Sequence, residues 1–378
     1  MSMVLNEEQL AAQDAAKKLI QNKSPVSALR RIRDNKDASG FDAALWDQMI
    51  ELGWTAMIIP EEYGGLGLSH DYMSAVLEEC GRTLTPSPLW SSCLLCAGLI
   101  NNASNMAQKQ EILPAIATGD VLVSLAMEEQ ARHQPIALAT RMKAKGENFL
   151  LTGKKHFVVN GHMANYLIIN ALSENDEQML VIVECERAGI EISRNWMVDG
   201  HNSATVSFQN VNVSKDDLLF DNALDTKAGF ERGLDIARLG LAAEMLGTAS
   251  EAFDRTLAYL KERQQFGAII GSFQALKHRA AEMFCELELS RSTVREGFSA
   301  IADPAVSDVE LGKLASIAKT QLTQTLRLVA NEAVQMHGGI GMTDEHEIGF
   351  YLKRARVLEH LLGDDVYHVR RFADLSGF

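Results

Sequence analysis

The sequence lacks an apolar run long enough to span a bilayer, and its first ten residues, MSMVLNEEQL, lack the apolar core of a secretion signal. Positive charge is also scarce, because 36 Lys and Arg residues stand against 50 Asp and Glu residues, for a net charge of −14. Such a chain is not expected to bind nucleic acid or an anionic membrane as its main partner, although local basic pockets for phosphates remain compatible with it. We therefore expect a cytoplasmic protein.

The five cysteines do not form a recognisable metal or disulfide pattern. Cys93 and Cys96 make a CxxC pair, but it lies inside the apolar run LWSSCLLCAGLI, with no second Cys or His pair at metal-binding spacing nearby. Both cysteines are therefore expected to be buried, reduced helix residues rather than a redox or zinc site. The chain also has no internal repeat and no low-complexity segment.

What the chain does contain is three blocks of different periodicity, which predict an α+β protein. Residues 1–118 have the spacing of amphipathic helices, beginning with Asn6 as a helix cap. Residues 119–224 carry short alternating or β-branched runs between turn residues, which predict a β-sandwich or barrel domain. Residues 225–378 are helical again and predict a helical bundle domain. In its first long helix Gly240 and Gly247 lie on one face, where another backbone or a ligand is expected to approach closely.

Three stretches could carry chemistry, and each also has a simpler explanation. In ERQQFGAIIGSFQALKHRAAEM, residues 262–283, Arg263 could bind a phosphate and Phe266 could cover a ring system, or the stretch is a helix corner with a surface arginine. In QMHGGIGMTDEHE the glycines could admit a ligand to the backbone, or they end a helix. In AMEEQARHQP the paired carboxylates Glu128 and Glu129 suggest acid–base chemistry, or a solvated loop neutralised by its own cations.

Together, in this order and over essentially the whole chain, these stretches resemble the acyl-CoA dehydrogenase family. The resemblance implies an N-terminal helical domain, a middle β-domain and a C-terminal four-helix bundle. It also implies a tetramer that holds FAD between two subunits and oxidises an acyl-CoA thioester to a 2-enoyl-CoA. A carboxylate takes the α-proton, the flavin accepts a hydride from Cβ, and an electron-transfer flavoprotein receives the electrons.

One half of the family's cofactor site is present in this sequence. The family patterns RxxFGxxxxxxQ and QxxGGxG reach the pyrophosphate and adenine end of the FAD in a neighbouring subunit. Their matching positions here are Arg263, Phe266, Gln274, Gln335 and Gly339. Arg238 matches an arginine that contacts the CoA part of the substrate in relatives.

The other half departs from the family pattern. Glu128 replaces a threonine of the flavin-contacting TEPxxGSD loop, and Val159 replaces a second threonine near the reactive edge of the ring, although Phe157 keeps an aromatic where tryptophan is usual. Neither family position for the catalytic base carries a carboxylate, because Leu362 and Ala237 occupy them. Glu244, two helical turns beyond Ala237, could substitute as a base or could pair with an arginine on an adjacent helix.

Three hypotheses follow from this contrast. The chain could be a catalytically degenerate subunit that completes the FAD site of a homologous partner, as in paired subunits that act on steroid or other bulky CoA thioesters. It could instead be a self-sufficient flavoenzyme with an unusual base or a different flavin reaction. The third hypothesis is an interaction protein that has lost FAD. The sequence leaves open which acyl-CoA is used, whether the oligomer is homomeric or heteromeric, and whether the chain binds FAD alone.

Overall fold

The computed structural model describes residues 6–378. Along the chain, helices come first, a run of strands follows, and further helices complete the order. The helices are α1 (Glu7–Lys23), α2 (Val26–Asp34), α3 (Ala43–Glu51), α4 (His70–Thr83), α5 (Ala97–Asn102, continuing a π-helical segment Leu89–Cys96), α6 (Met106–Ala117), α7 (Ala223–Glu262), α8 (Gln274–Ile301), α9 (Asp308–His337), α10 (Ile348–His360) and α11 (Asp365–Leu375). The α–β–α order predicted from the sequence is therefore confirmed.

The first seven strands form one sheet, and two more strands form a separate short hairpin. The strands are β1 (Val123–Ala126), β2 (Arg141–Lys145), β3 (Asn148–Val159), β4 (Tyr166–Leu172), β5 (Gln178–Glu184), β6 (Ile190–Trp196), β7 (Asn202–Val213), β8 (Gln264–Gln265) and β9 (Ala268–Ile269). The sheet order is β1-β4-β2-β3-β7-β6, with β5 paired to β4. Alternate residues of β3 and β7 face a buried cluster that includes Leu151, Val206 and Phe208.

Two local expectations differ from the structure. The alternating apolar residues of IALAT, in the block 119–224, are typical of a strand, but residues 127–140 form a loop because the Glu129 carboxylate accepts the amides of Ala139 and Thr140. The helical pattern that opens the block 225–378 predicts a first long helix that ends near Gly267, but α7 ends at Glu262 and the β8–β9 hairpin follows. Phe266 and Gly267 both have positive φ at the tip of this hairpin, which suits a two-residue turn.

The chain divides into two compact units. One unit contains residues 6–37, 70–86 and 238–378, and the other contains residues 38–69 and 87–237. Helices α1, α2 and α4 thus group with the C-terminal helices, whereas α3, α5 and α6 group with the sheet. The three-domain boundaries at residues 118 and 224 stay a prediction, although helix gives way to strand and strand to helix near both positions.

A close backbone approach occurs within the first unit, between α4 and α7. A Cβ atom on Gly247 would lie 1.8 Å from the carbonyl oxygen of Glu78, and one on Gly81 would lie 2.1 Å from the carbonyl oxygen of Glu244. The close approach predicted at Gly247 is therefore made by a helix of the same chain. For this reason Gly247 does not offer a surface to a second subunit.

Cys93 and Cys96 are fully buried in the π-helical segment, and burial raises the pKa of both thiols. Their prediction as buried helix residues is confirmed. Within residues 6–378 no three His, Cys, Asp or Glu side chains are grouped to hold a metal ion. No helix in that range combines the length and apolarity required to cross a membrane.

Candidate functional site

The β8–β9 hairpin presents two of the predicted cofactor residues to solvent. Arg263 directly follows α7, and its side chain has no ion pair or hydrogen bond with any residue between 6 and 378. Phe266 at the hairpin tip is 91% exposed and has a φ of 55°, which is uncommon outside glycine. Its ring lies edge-on to that of Phe273, at 6.2 Å between centroids. A free guanidinium beside an exposed ring can bind a phosphate and cover an aromatic ligand.

The other three predicted cofactor residues lie at the same end of the helices. Gln274 is the first residue of α8, Gln335 lies in the last turn of α9, and Gly339 follows α9, all of them exposed. An ion pair between Arg279 and Glu332 joins the start of α8 to the end of α9. The end of α7 joins them as well, because the Tyr259 hydroxyl donates to the carbonyl of His337 at 3.3 Å. The fold therefore brings all five residues to one exposed region, which we call the helix-end surface.

The stretch 358–375 contains the end of α10, a turn at residues 361–364 and helix α11. Asp364 caps α11 by accepting the amide of Tyr367 at 2.9 Å. Leu362, in the first family position for a base, is only 3% exposed and has a φ of 56°. Its carbonyl accepts from Nε2 of His368 at 3.0 Å. The turn therefore has the geometry expected of it, but its side chain at position 362 is apolar and cannot take a proton.

Two buried cations lie behind this turn. Arg238 is fully buried, with its guanidinium 5.8 Å from the ring centroid of Tyr367. Lys319 is also fully buried, and its Nζ donates to the carbonyl of Leu358 at 2.8 Å. Burial, followed by the charge of Arg238, lowers the pKa of Lys319 to about 7. The role of Arg238 in substrate binding stays a prediction. Lys319 was missed, although its position among the apolar residues of α9 could have indicated it.

The remaining candidate for a base is engaged in an ion pair. The Glu244 carboxylate is buried and accepts from Nε of Arg354 at 3.1 Å, with a second contact to the same guanidinium. The prediction that Glu244 pairs with an arginine on an adjacent helix is confirmed. Ala237, in the second family position for a base, is fully buried, and its carbonyl accepts the indole N–H of Trp90 at 3.0 Å. A free carboxylate is thus found at neither family position, nor at Glu244.

In the second unit, the two acidic residues of the loop 127–140 are both occupied. Nδ1 of His133 contacts the Glu128 carboxylate, as predicted for a self-neutralising loop. Glu129 accepts from the buried Nζ of Lys155 at 2.6 Å, and Lys155 also donates to the carbonyl of Met127 at 3.2 Å. Hydrogen bonds from Lys155, Thr140 and Ala139 outweigh burial and lower the pKa of Glu129. Lys155 was not predicted, because its partner is 26 residues away in sequence.

A bulge in β3 sets the direction of the neighbouring aromatic residue. The register with β7 slips by one residue between Lys155 and Val158, so that Phe157 has a φ of 52° and is half-exposed. The amide of His156 donates to the carbonyl of Glu128 at 2.7 Å, which joins the bulge to the acidic loop. Val159 ends the strand with an apolar side chain.

The two groups of residues differ in how well they fit FAD. The helix-end surface offers a free guanidinium, and a Cβ on Gly339 would meet nothing within 4 Å, so the backbone there is open to a ligand. These features suit a diphosphate and a ring. The loop and bulge of the second unit offer a carboxylate already bound to His133 and an apolar Val159 where the family has hydroxyls. These residues do not fit the polar edge of a flavin.

Known proteins and family models match this chain over nearly its whole length. Family models for the acyl-CoA dehydrogenase N-terminal, middle and C-terminal domains match residues 6–120, 125–211 and 229–374. The acyl-CoA dehydrogenase IpdE2 of Mycolicibacterium smegmatis is 30% identical over 371 residues, covering 97% of this chain and 98% of that protein.

Solved structures are also similar to nearly the whole chain. A structure described as the Tcur3481-Tcur3483 steroid ACAD is 28% identical with a TM-score of 0.88, covering 98% of both chains. The ChsE4-ChsE5 complex of Mycobacterium tuberculosis covers 100% of both chains with a TM-score of 0.90, and at 21% identity it is similar in fold alone.

Proposed function

The chain belongs to the acyl-CoA dehydrogenase family, and from this premise we propose that it works as a subunit that completes the FAD site of a homologous partner. The assembly would carry out FAD-linked α,β-dehydrogenation of an acyl-CoA thioester and pass electrons to an electron-transfer flavoprotein. The observation that carries the proposal is the helix-end surface, where Arg263, without a side-chain partner among residues 6–378, and a 91% exposed Phe266 lie on the β8–β9 hairpin. Exposed aromatic and arginine side chains of this kind are typical of interfaces.

The absence of a free base supports the same proposal. Removing the α-proton of a thioester requires a carboxylate that is close, dry and unpaired. Leu362 and Ala237 cannot act in this way, and the Glu244 carboxylate is held by Arg354. A partner that keeps the glutamate and the flavin loop would supply both. The similar structure described as the Tcur3481-Tcur3483 steroid ACAD carries two designations in its name, which is consistent with a paired arrangement.

The residues of this chain would bind and orient the cofactor rather than react. Bound FAD supplies the acceptor for a hydride from the substrate. Arg263 would bind the diphosphate through its two-pronged guanidinium, and Phe266 would exclude water from that edge. Gln274 and Gln335 would offer amide donors and acceptors to the adenine end, while Gly339 lets the backbone approach. The similar structure described as a steroid ACAD favours a bulky CoA thioester as the substrate of the assembly.

The proposal is tested by flavin content with and without the partner. The chain expressed alone should hold little FAD after dialysis, whereas the complex that co-purifies from the native source should be yellow. In that complex Arg263→Ala and Phe266→Ala should lower FAD occupancy. Arg370→Ala is a matched control, because Arg370 is also exposed and without a side-chain partner among residues 6–378.

Two outcomes would contradict the proposal in different ways. Full FAD occupancy and turnover by the chain alone would favour a self-sufficient flavoenzyme. A stable complex that lacks FAD would favour an interaction protein that has lost the cofactor.

A further inference from the structure

The glycine turn Gly338–Met342 is exposed except at Gly341, and it is held by contacts at both of its ends. At its first end, the ring of Tyr259 stacks on His337 with 4.4 Å between centroids, and the Tyr259 hydroxyl donates to the His337 carbonyl. Nδ1 of His337 lies 2.7 Å from the carbonyl of Ala333, which fixes the ring against α9. The last residue before the turn therefore cannot rotate freely.

At the second end, Asp344 is bound by two arginines of α2. Arg33 approaches with both terminal nitrogens, Nη1 to Oδ1 at 2.7 Å and Nη2 to Oδ2 at 2.8 Å. Arg30 adds a bond from Nη1 to Oδ2 at 2.8 Å. The guanidinium carbons of Arg30 and Arg33 lie 4.8 and 4.9 Å from the ring centroid of Phe350, a buried residue on which both guanidinium groups pack. We call Asp344, Arg30 and Arg33 the aspartate clamp.

The geometry of the aspartate clamp restricts the position of the Asp344 carboxylate more than an ordinary surface ion pair would. A single exposed pair is held loosely, but a planar fork that meets both oxygens of a carboxylate defines distance and angle together. Lys353 lies 3.9 Å from Asp344, so three cations surround one carboxylate. Hydrogen bonding from Arg33, the largest cause, lowers the pKa of Asp344 to about 2, so the carboxylate stays charged at neutral pH.

A second ion pair, at Glu347, lies three residues after Asp344. Glu347 accepts from Nη1 of Arg255 on α7 at 2.6 Å, and Arg255 is itself held by Glu251 at 2.9 Å. Between its two ends the turn is a single 3₁₀ helix, Gly338–Met342, in which Gly341 is buried. Met342 is 78% exposed, and the space around Gly339 is open. The amide of Thr343 donates back to the carbonyl of Ile340 at 3.1 Å, so the turn closes on itself just before the clamp.

We propose that Asp344, held by Arg30 and Arg33, is a positioning residue that fixes the backbone of Gly338–Met342 for binding the partner's FAD. This inference rests on the proposed function, in which Gly339 lies against that cofactor. The N-terminal helix α2 thus takes part in cofactor binding without touching the cofactor. Because backbone groups can bind a ligand only if they are already oriented, the clamp would act on cofactor affinity rather than on the chemical step.

The first experiment measures amide hydrogen exchange of residues 338–343 in the full-length chain without a partner. Asp344→Asn should speed exchange in this segment, whereas Asp344→Glu, which keeps the charge, should largely restore protection. Arg33→Lys should give an intermediate result, since an ammonium cannot bond both oxygens in one plane. The matched control is Asp176→Asn, which removes the exposed Arg141–Asp176 pair of the second unit at a position with positive φ that asparagine tolerates.

The second experiment measures FAD retention by the complex purified with its partner. Asp344→Asn should raise the dissociation constant of FAD by about tenfold, with kcat at saturating FAD unchanged. Unchanged exchange in residues 338–343 would overturn the inference and leave the proposed function standing. Faster exchange with unchanged FAD retention would also overturn it, provided that Arg263→Ala still lowers retention. If Arg263→Ala has no effect either, the proposed function fails together with the inference.

Discussion

Replacing Lys319 by methionine should change how the stability of the protein depends on pH. Lys319 is fully buried and its pKa in the folded state is about 7, against about 10.4 for a lysine in an unfolded chain. Between these two values the unfolded state holds more protons than the folded state, so the free energy of unfolding must rise with pH. The groups that face Lys319 and act on it are Arg238, Glu359, Asp364 and Asp365, and the net result is still a lowered pKa.

The size of the effect follows from the same two pKa values. From about pH 6 to about pH 9, one site of this kind raises the free energy of unfolding by roughly 2–3 kcal/mol. Lys319→Met removes the titrating group, so this rise should be absent from the variant. The variant also loses the bond to the Leu358 carbonyl, which costs about 1–3 kcal/mol at every pH. The diagnostic quantity is therefore the slope with pH and not the stability at one pH.

The assay is urea unfolding followed by circular dichroism at several pH values in that range, for wild type and Lys319→Met. Lys227→Met is the matched control, because Lys227 is an exposed lysine on α7. The control should keep the rise seen in the wild type. Parallel slopes for wild type and Lys319→Met would show that Lys319 is charged in the folded state, and would refute its assignment as a near-neutral buried amine.

Three further outcomes are expected. Leu362→Glu should give no acyl-CoA-dependent dye reduction by the chain alone, whereas a gain of about 10²–10⁴ would show a site complete except for its base. Gly247→Ala should destabilise the chain by roughly 1–3 kcal/mol in urea unfolding because a carbonyl of α4 occupies the space, while Gly98→Ala, with nothing within 4 Å, should be neutral or slightly stabilising. Arg354→Met should cost about 3–5 kcal/mol by leaving the Glu244 carboxylate buried without its partner, and a change below 1 kcal/mol in the same assay would refute that account.

Features that depend on neighbouring residues in sequence were predictable. Asn6 and Gln9 form a reciprocal cap at the start of α1, and Asp364 caps α11. Such caps can be predicted from sequence because all of their residues lie within one helical turn. The resemblance, carried by short motifs such as RQQFG and QMHGGIG, also predicted the order of helices and strands. It placed Arg263 and Gln335 in one site, and the structure brings them to the same end of the helices.

Features that depend on distant partners were not predictable from the same patterns. No local pattern indicates the burial of Lys155. The apolar residues around Lys319 on α9 could have indicated its burial, but only the fold shows the acceptors of the two lysines, 26 and 39 residues away. The loop 127–140 read partly as a strand because its apolar residues alternate, whereas Glu129 takes up the amides of that segment. The hairpin tip at Phe266 was missed because phenylalanine rarely has positive φ.

The paired contact of Gly81 and Gly247 also limits how the two helices can be aligned. Each glycine faces a carbonyl oxygen of the other helix, Glu244 for Gly81 and Glu78 for Gly247, so the two contacts must form together. Sliding α4 by one helical turn along α7 would place the side chain of Ala243 or Glu251 against the Glu78 carbonyl, in space that a Cβ atom at Gly247 could not occupy. Pairings of α4 and α7 displaced by one turn are thus disfavoured sterically, so the shape of the two backbones itself contributes to selecting the native alignment.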